Sequence, residues 1–122
     1  MMIGSFGASA VLLYGAGDSP LAQPRNLIGG HVLSACVAVT VYFLFGRSDV
    51  SIAFAVASAI AVMMATRTLH PPGGATALIG VDTMQGPSFV LVPTLAGALI
   101  LLAVALAVNN ISKDRTYPYY WY

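Results

Sequence analysis

The sequence predicts an all-α fold, a polytopic bundle of transmembrane helices, and three observations support it. Of the 122 residues, 58% are apolar and only 7% are charged, whereas about 25% of residues in a soluble domain carry charge. Three apolar runs approach the roughly 20 residues that a helix needs to cross a bilayer, at about 27–45, 52–69 and 89–108. Two shorter apolar runs, interrupted by Gly and Pro, lie at about 3–14 and 73–81. We expect one transmembrane domain over residues 1–122, with the lipid bilayer as its first partner.

Polar segments rich in Gly and Pro connect these runs. Pro20 and Pro24 break the loop after the first short helix. The C-terminal tail, 109–122, is basic and then aromatic. Because Tyr and Trp concentrate at membrane interfaces, we interpret this tail as an interfacial anchor. The alternative is a frayed, disordered end.

The segment at 66–78, TRTLHPPGGATAL, is the one around which the chain is organised. Four residues that interrupt helices follow one another at its centre, namely Pro71, Pro72, Gly73 and Gly74. We expect the preceding apolar run to end there and a short helix to restart. Arg67 and His70 lie beside this break, and ionisable residues beside a broken transmembrane helix predict a functional site.

An internal repeat relates the two halves of the chain. A shift of 67 positions aligns GASAVL at 7–12 with GATALI at 74–79 without a gap, and it keeps one Pro and one Gly in phase beyond them. Each unit reads as long helix, short helix, loop and long helix. The first unit lacks its leading helix, so we expect either a truncated product or a partner that supplies this helix.

The positions of Lys and Arg bear on membrane orientation. If each short helix and its loop cross the membrane, four of the five cations share one side and Arg47 is alone on the other. Re-entrant short helices would instead give a split of three to two. The first arrangement makes the two repeat units inverted, as in many transporters. We expect a bacterial inner, or plasma, membrane location with the C-terminal tail in the cytoplasm.

Several motifs together resemble those of one known family. HPPGGATAL at 70–78 occurs with IGSFGASA at 3–10, PLAQPRN at 20–26, GGH at 29–31, and NN at 109–110 before a basic tail containing Tyr-Pro. This combination is similar to the HPP family of integral membrane proteins, over nearly the whole chain. The resemblance implies four membrane-spanning helices, one more than the three long runs here. It also implies nitrite transport, which is associated with some members.

Binding a nitrite-like monoanion inside a membrane requires donors that are already oriented. The first N–H groups of a helix are unpaired and lie at the positive end of its dipole, and two glycines would let an anion approach them. Arg67 would place a cation on the helical face of His70, and a protonated His70 would allow proton coupling. With the matching residues of the first repeat unit, the candidate substrate-binding residues are Arg67, His70, Gly73, Gly74, Thr76, Gly7 and Ser9.

These residues also have purely structural interpretations. Arg67 would suit bonding to carbonyls at the end of its own helix, or snorkelling to the interface. His70 would suit capping that helix end, and the Pro and Gly pairs would suit close helix packing. His31 is predicted to hydrogen-bond to a neighbouring helix rather than to bind a ligand.

Other classes of function are disfavoured. Without paired carboxylates or a nucleophile motif, we expect no enzyme and no catalytic residues. Two His and one Cys give no metal-ligand spacing, and no cofactor is expected. A net charge of +1 without a basic stripe argues against nucleic-acid binding.

The favoured function is therefore a carrier or channel for a small inorganic anion such as nitrite. Two alternatives stay open: a membrane scaffold or assembly subunit, and a truncated fragment without transport of its own. Because three long runs cannot enclose a path, we expect a homo-oligomer or a partner that supplies the missing helix.

Overall fold

The computed structural model describes residues 2–122, which form five α-helices and no strand. The helices are α1 (Gly4–Gly15), α2 (Pro24–Phe45), α3 (Asp49–Ala65), α4 (Pro71–Asp82) and α5 (Ala96–Asn109). A 3-10 turn (Pro20–Ala22) precedes α2, and a kinked π-helical turn (Val90–Leu95) leads directly into α5. The all-α class is confirmed, and α2 and the segment Val90–Asn109 are long and apolar enough to cross a membrane. The apolar helix α3 is shorter, with 17 residues.

Helix α3 ends four residues before the predicted boundary at 69. The N–H of Thr68 donates to the carbonyl of Met63 (2.9 Å) and that of Arg67 to the carbonyl of Met64 (3.2 Å). Arg67 itself is left-handed, with φ 56. These two bonds and the left-handed residue form a Schellman motif, which ends a helix independently of any proline. The prediction that the helix over 52–69 extends to residue 69 is thus wrong, because it ends at Ala65.

The turn between α3 and α4 lies against the first two turns of α2. Arg25 donates to the carbonyl of Thr66 (2.9 Å) and Asn26 to that of Leu69 (2.8 Å). A Cβ at position 29 would lie 2.7 Å from the Thr68 side chain, and one at position 30 would lie 2.5 Å from that of His70. The paired glycines of α2 therefore let this turn approach the α2 backbone, which brings His70 into the bundle.

The short helices begin close to where the sequence predicts, with one correction. The predicted short helix at 3–14 is found at Gly4–Gly15. The second, predicted at 73–81, begins at Pro71, so both prolines belong to its first turn. Proline suits this position because a first-turn N–H has no helical partner to lose. Adding the shift of 67 positions to the bounds of α1 gives the bounds of α4.

The charged residues separate to the two ends of the bundle. Arg25 contacts the turn that carries Arg67, and Arg115 donates to the Tyr14 carbonyl at the end of α1 (3.0 Å). At the opposite end, Arg47 forms an exposed ion pair with Asp82 (2.6 Å). This is the distribution expected if the short helices and their loops cross the membrane. Which end faces the cytoplasm stays a prediction.

The C-terminal tail folds back onto the loop before α2. The Asn110 side chain donates to the Tyr117 carbonyl (2.6 Å) and accepts from its N–H (3.0 Å). The buried Tyr117 hydroxyl donates to the Ala22 carbonyl (2.8 Å), and the N–H of Tyr119 donates to Gln23 (2.9 Å). This part of the tail is therefore held by specific contacts rather than frayed. The last aromatic residues are exposed, as an interfacial anchor requires.

We predict that Tyr117→Phe lowers the free energy of unfolding by about 1–2 kcal/mol, because the buried Ala22 carbonyl loses its partner. The exposed Tyr120→Phe is the matched control and should leave stability unchanged. Thermal unfolding in detergent, with limited proteolysis of the tail, measures both. Equal stability of the two variants would show that the tail is not docked in this way.

Alkaline titration gives a second test of the same contact. Burial, followed by the neighbouring Tyr14, raises the pKa of Tyr117 to about 12 from the ordinary tyrosine value of 10.0. Since the folded state favours the neutral phenol, this contribution to stability is complete below about pH 10 and is lost as the pH rises through about 12. Absorbance titration should show a late-titrating tyrosine in the wild type that is missing from Tyr117→Phe.

Candidate functional site

Five buried polar side chains meet inside the otherwise apolar bundle. We call them the polar core; each is at most 1% exposed, and they are Ser5, Ser9, His31, His70 and Thr76. They come from α1, α2, α4 and the residue before α4. Polar groups buried in this way are costly unless they are hydrogen-bonded, so their partners decide whether the arrangement is stable.

Hydrogen bonds link the polar core into one unbranched series. His31 lies at its centre, with Nδ1 2.7 Å from Thr76 Oγ1 and Nε2 2.7 Å from Ser9 Oγ. Ser9 Oγ is also 2.8 Å from His70 Nε2, and His70 Nδ1 is 2.8 Å from the Leu21 carbonyl oxygen. At the other end, the hydroxyls of Thr76 and Ser5 are 2.8 Å apart. Every nitrogen of both imidazoles therefore has a partner.

The polar core contains no fixed charge. Within residues 2–122, no Lys, Arg or Asp side chain hydrogen-bonds to any of its five members. The two rings themselves are in edge contact, with centroids 5.0 Å apart. Phe6 covers the other side of His31 at 5.2 Å. The site is thus a neutral set of donors and acceptors in which the imidazoles are the only groups that can take up a proton to become cations.

Three of the predicted site residues are brought together here, namely Ser9, His70 and Thr76. Ser9 and Thr76 are repeat partners under the shift of 67 positions, and they bond to opposite nitrogens of one imidazole. Ser9 and Thr76 thus both hydrogen-bond to His31, and their role as facing half-sites for an anion stays a prediction. His31 bonds to two neighbouring helices, which confirms the prediction made for it.

Arg67 is outside the polar core. It is exposed, and it occupies the left-handed position that closes α3 rather than a helical one. The expectation that Arg67 shares a helical face with His70 is therefore wrong, because the helix ends before both residues. Arg67 instead lies on the turn at the end of the bundle where Arg25 is found.

The three predicted glycines differ from one another in their surroundings. A Cβ on Gly73 would lie 2.8 Å from the Gly30 carbonyl oxygen and 2.9 Å from Ser34 Oγ, so this glycine permits close packing of α4 on α2. A Cβ on Gly74 would meet Val56 of α3 at an ordinary 3.9 Å. A Cβ on Gly7 would meet no described atom within 4 Å. Neither Gly74 nor Gly7 reaches the polar core.

The N-terminus of α4 offers fewer donors than expected. Pro71 and Pro72 have no N–H, and the N–H of Gly73 donates to the His70 carbonyl (2.8 Å). A free buried hydroxyl lies close by, because Ser34 Oγ has no hydrogen-bond partner within residues 2–122. Donors for a ligand are thus side-chain hydroxyls and imidazoles rather than the backbone N–H groups that we expected.

Ser5 is the member of the polar core that the sequence reasoning missed. Its signal was available, because Ser5 and Ser9 are four residues apart and therefore share one face of an apolar helix. Buried serines on one face of a membrane helix indicate a polar partner across the interface. Residues 2–122 contain no group of three or more His, Cys, Asp or Glu side chains suited to a metal ion.

The helical bundle, its membrane-length segments and its buried polar core define an integral membrane protein. A family model for the HPP transmembrane region matches residues 1–118, and the chain belongs to that family. It is 51% identical over 130 residues to one transmembrane protein of Dictyostelium discoideum and 46% identical over 129 residues to another. These matches cover 100% and 99% of this chain but 46% and 42% of the relatives, so the chain spans less than half of their length. No solved structure matches the chain.

The two neighbouring glycines of α4 give a paired prediction. Gly73→Ala should destabilise the protein by about 1–3 kcal/mol, because its Cβ would collide with the α2 backbone. Gly74→Ala should be neutral or stabilising by up to about 1 kcal/mol, because its Cβ has room and alanine favours a helix interior. Thermal unfolding of the purified variants distinguishes them. Equal destabilisation by both would contradict the packing described here.

Proposed function

We propose that this protein is a membrane transporter for a small monoanion, with nitrite as the candidate substrate. The observation that carries the proposal is the polar core, five hydrogen-bonded side chains buried in a bundle of apolar helices. Polar and ionisable groups inside a membrane are costly, and they usually mark a path for a substrate, an ion or a proton.

The position of the polar core also supports this function. His70 bonds to the Leu21 carbonyl of the loop before α2, so one end of the core lies next to a connecting segment rather than in the middle of the bundle. Arg25 and Arg67 lie at that same end. Two exposed cations beside an entrance attract small anions from solution. We therefore assign Arg67 to capture at the entrance and not to the binding site itself.

Charge balance explains why the core would use histidine. A bare anion inside an apolar bundle leaves a buried charge without a partner. The polar core has no fixed cation, but a proton on His70 would supply one that arrives and leaves with the anion. The unpaired hydroxyl of Ser34 beside Gly73 adds a donor that the core does not use. A small monoanion that enters with a proton fits these groups.

The principal alternative is a membrane scaffold or assembly subunit. Hydrogen bonds between membrane helices also hold bundles together, and the glycines of α2 and α4 contribute close packing. In this case the polar core would stabilise the fold without carrying anything. Flux measurements on well-folded variants separate the two functions.

The bundle also offers a place for a helix from a second copy of the chain. Gly74 of α4 packs near Val56 of α3, whereas its repeat partner Gly7 of α1 meets no described atom within 4 Å. If the two repeat units are alike, a helix equivalent to α3 would lie against Gly7. We propose that a second copy supplies it and that the working unit is a homo-oligomer.

The first functional prediction concerns His70. His70→Gln should lower nitrite uptake into proteoliposomes by more than about tenfold. The reason is that loss of the imidazole leaves its buried hydrogen-bond partners unsatisfied, which raises the free energy of the site by ~1–3 kcal/mol. Arg67→Gln should lower nitrite uptake by only about twofold to tenfold, and less at high salt, as expected for capture at an entrance. Cys36→Ser, on the exposed face of α2, is the control with full uptake.

Uptake of nitrite should be compared with that of nitrate, formate and chloride in the same vesicles. Wild-type protein that inserts and folds but moves none of the four would contradict the proposal and favour the scaffold. Full uptake by a folded His70→Gln protein would remove the polar core from the path.

A further prediction addresses assembly. The purified chain should be an oligomer in mild detergent, and Gly7→Val should shift it toward the monomer without lowering the stability of each subunit. Light scattering with thermal unfolding measures both. A monomer with full uptake would contradict the proposed homo-oligomer.

A further inference from the structure

The hydrogen bonds of the polar core have fixed directions, because one of its ends can only accept. The Leu21 carbonyl has no proton, so His70 Nδ1 must carry the hydrogen of that 2.8 Å bond. Ser9 has one proton for two imidazole partners. These two facts propagate through the other bonds, and they fix one arrangement once the protonation state of each imidazole is given.

With both imidazoles neutral, every bond points toward Leu21. His70 Nε2 then has a lone pair and accepts from the Ser9 hydroxyl. Since the Ser9 proton is used, His31 Nε2 must donate to the Ser9 oxygen, and His31 Nδ1 accepts from the Thr76 hydroxyl. Because the Thr76 proton is then used by His31, Thr76 gives up the bond in which it donates to Ser5. The longer contact of Thr76 with the Pro72 carbonyl (3.5 Å) does not compete with bonds of 2.7–2.8 Å.

With one proton added at His70, the three bonds that link Thr76, His31, Ser9 and His70 reverse. A doubly protonated His70 donates from Nδ1 to Leu21 and from Nε2 to the Ser9 oxygen. Ser9 then donates to His31 Nε2, and His31 Nδ1 donates to Thr76, which donates to Ser5. All hydrogen bonds of the core are made in this arrangement. The two arrangements differ by one proton and by the tautomer of His31.

We propose that the polar core is a proton relay in which the uptake of one proton at His70 reverses the hydrogen bonds as far as Thr76 and switches the tautomer of His31. This inference deepens the proposed function, since it names the proton as the coupling ion at the same site. It is tested without any transported anion, so the two can fail separately.

After the first step, each transfer moves one proton along an existing hydrogen bond. A hydronium ion protonates the Thr76 oxygen and leaves as water, and the new Thr76 proton takes the hydrogen bond to Ser5. The original Thr76 proton moves to His31 Nδ1, and His31 gives its Nε2 proton to the Ser9 oxygen. The original Ser9 proton moves to His70 Nε2. Every other group on this path gains one proton and loses one, while His70 ends with one more proton and a charge of +1.

The surroundings of the two rings support a relay in which only the imidazoles gain or lose charge. The groups facing them are Ser9 and Phe6 of α1, Thr76 of α4, Gly30 of α2 and the Leu21 carbonyl. None of these carries a charge at neutral pH. The Lys and Arg side chains among residues 2–122 are all exposed, as are the Asp side chains apart from the half-buried Asp82, which pairs with Arg47. A Leu21 carbonyl that accepts from Nδ1 stabilises a charged His70 through a charge-assisted hydrogen bond.

Transfer of the His70 Nδ1 proton to a water molecule at the loop, which leaves as hydronium, completes the transfer. The hydroxyls and imidazoles must then turn back to their first orientation before another proton is carried. Transfer across the membrane therefore needs the hydroxyls of Thr76 and Ser9, and the loss of either should interrupt it.

Proton flux through proteoliposomes without nitrite tests this requirement. With a potassium diffusion potential and an internal pH dye, wild-type vesicles should show proton flux above that of empty vesicles. Thr76→Val keeps the shape of the side chain but removes its hydroxyl, and it should reduce this flux by at least about tenfold. Thr76→Ser keeps the hydroxyl and should retain most of it. Wild-type flux in a folded Thr76→Val protein would overturn the relay, and if this variant does not fold, Ser9→Ala is used with the same criterion.

Nitrogen NMR of histidine-labelled wild-type protein in bilayers gives the second test, which needs no variant. At high pH, His70 should carry its proton on Nδ1 and His31 on Nε2. As the pH is lowered and His70 becomes doubly protonated, the His31 proton should move to Nδ1. A His31 tautomer that stays the same, or that becomes protonated before His70, would overturn the inference. If nitrite is taken up without this switch, the relay is refuted and the proposed function stands. If the switch occurs without nitrite uptake, the proposed function is refuted and the relay stands.

Discussion

Hydrogen bonding of two imidazoles in a medium without water is the constraint on which this structure depends. An unpaired ring nitrogen at the centre of the bundle would cost several kcal/mol, so the four ring nitrogens must be held at hydrogen-bonding distance from three partners, Ser9, Thr76 and the Leu21 carbonyl. Since these partners come from α1, α4 and the loop before α2, and His31 comes from α2, the bonds fix the positions of α1, α2 and α4 relative to one another. The glycines of α2 and α4 serve the same end, since they let the backbones approach closely enough for short side chains to meet.

The sequence predicts the helices of this bundle well because apolar runs and proline are strong local signals. It also predicts, through the repeat, that Ser9 and Thr76 occupy related places. The role of Arg67 could not be predicted in this way, because a left-handed arginine at a helix end depends on the tertiary turn around it. The series of bonds through His31 could not be predicted either, since which residues meet across helices follows from packing and not from local sequence.

Membership of the HPP transmembrane region family and the polar core support each other. All five side chains of the core belong to the motifs that carry the family resemblance, at 3–10, 29–31 and 70–78. A signature built only for helix packing would need small residues and prolines but no imidazole. A histidine between two hydroxyls is instead typical of a site where protons change place.

The folded-back tail has a consequence for how the interior is connected to the surface. Tyr117 holds the carbonyl of Ala22, and the carbonyl of the preceding residue, Leu21, is the acceptor at which the bonds of the polar core end. The C-terminal segment therefore restrains the loop that carries the Leu21 carbonyl oxygen, and this oxygen sets the direction of the hydrogen bonds in the polar core. A protein or lipid that draws the tail away would shift this oxygen and disturb the imidazoles without entering the membrane.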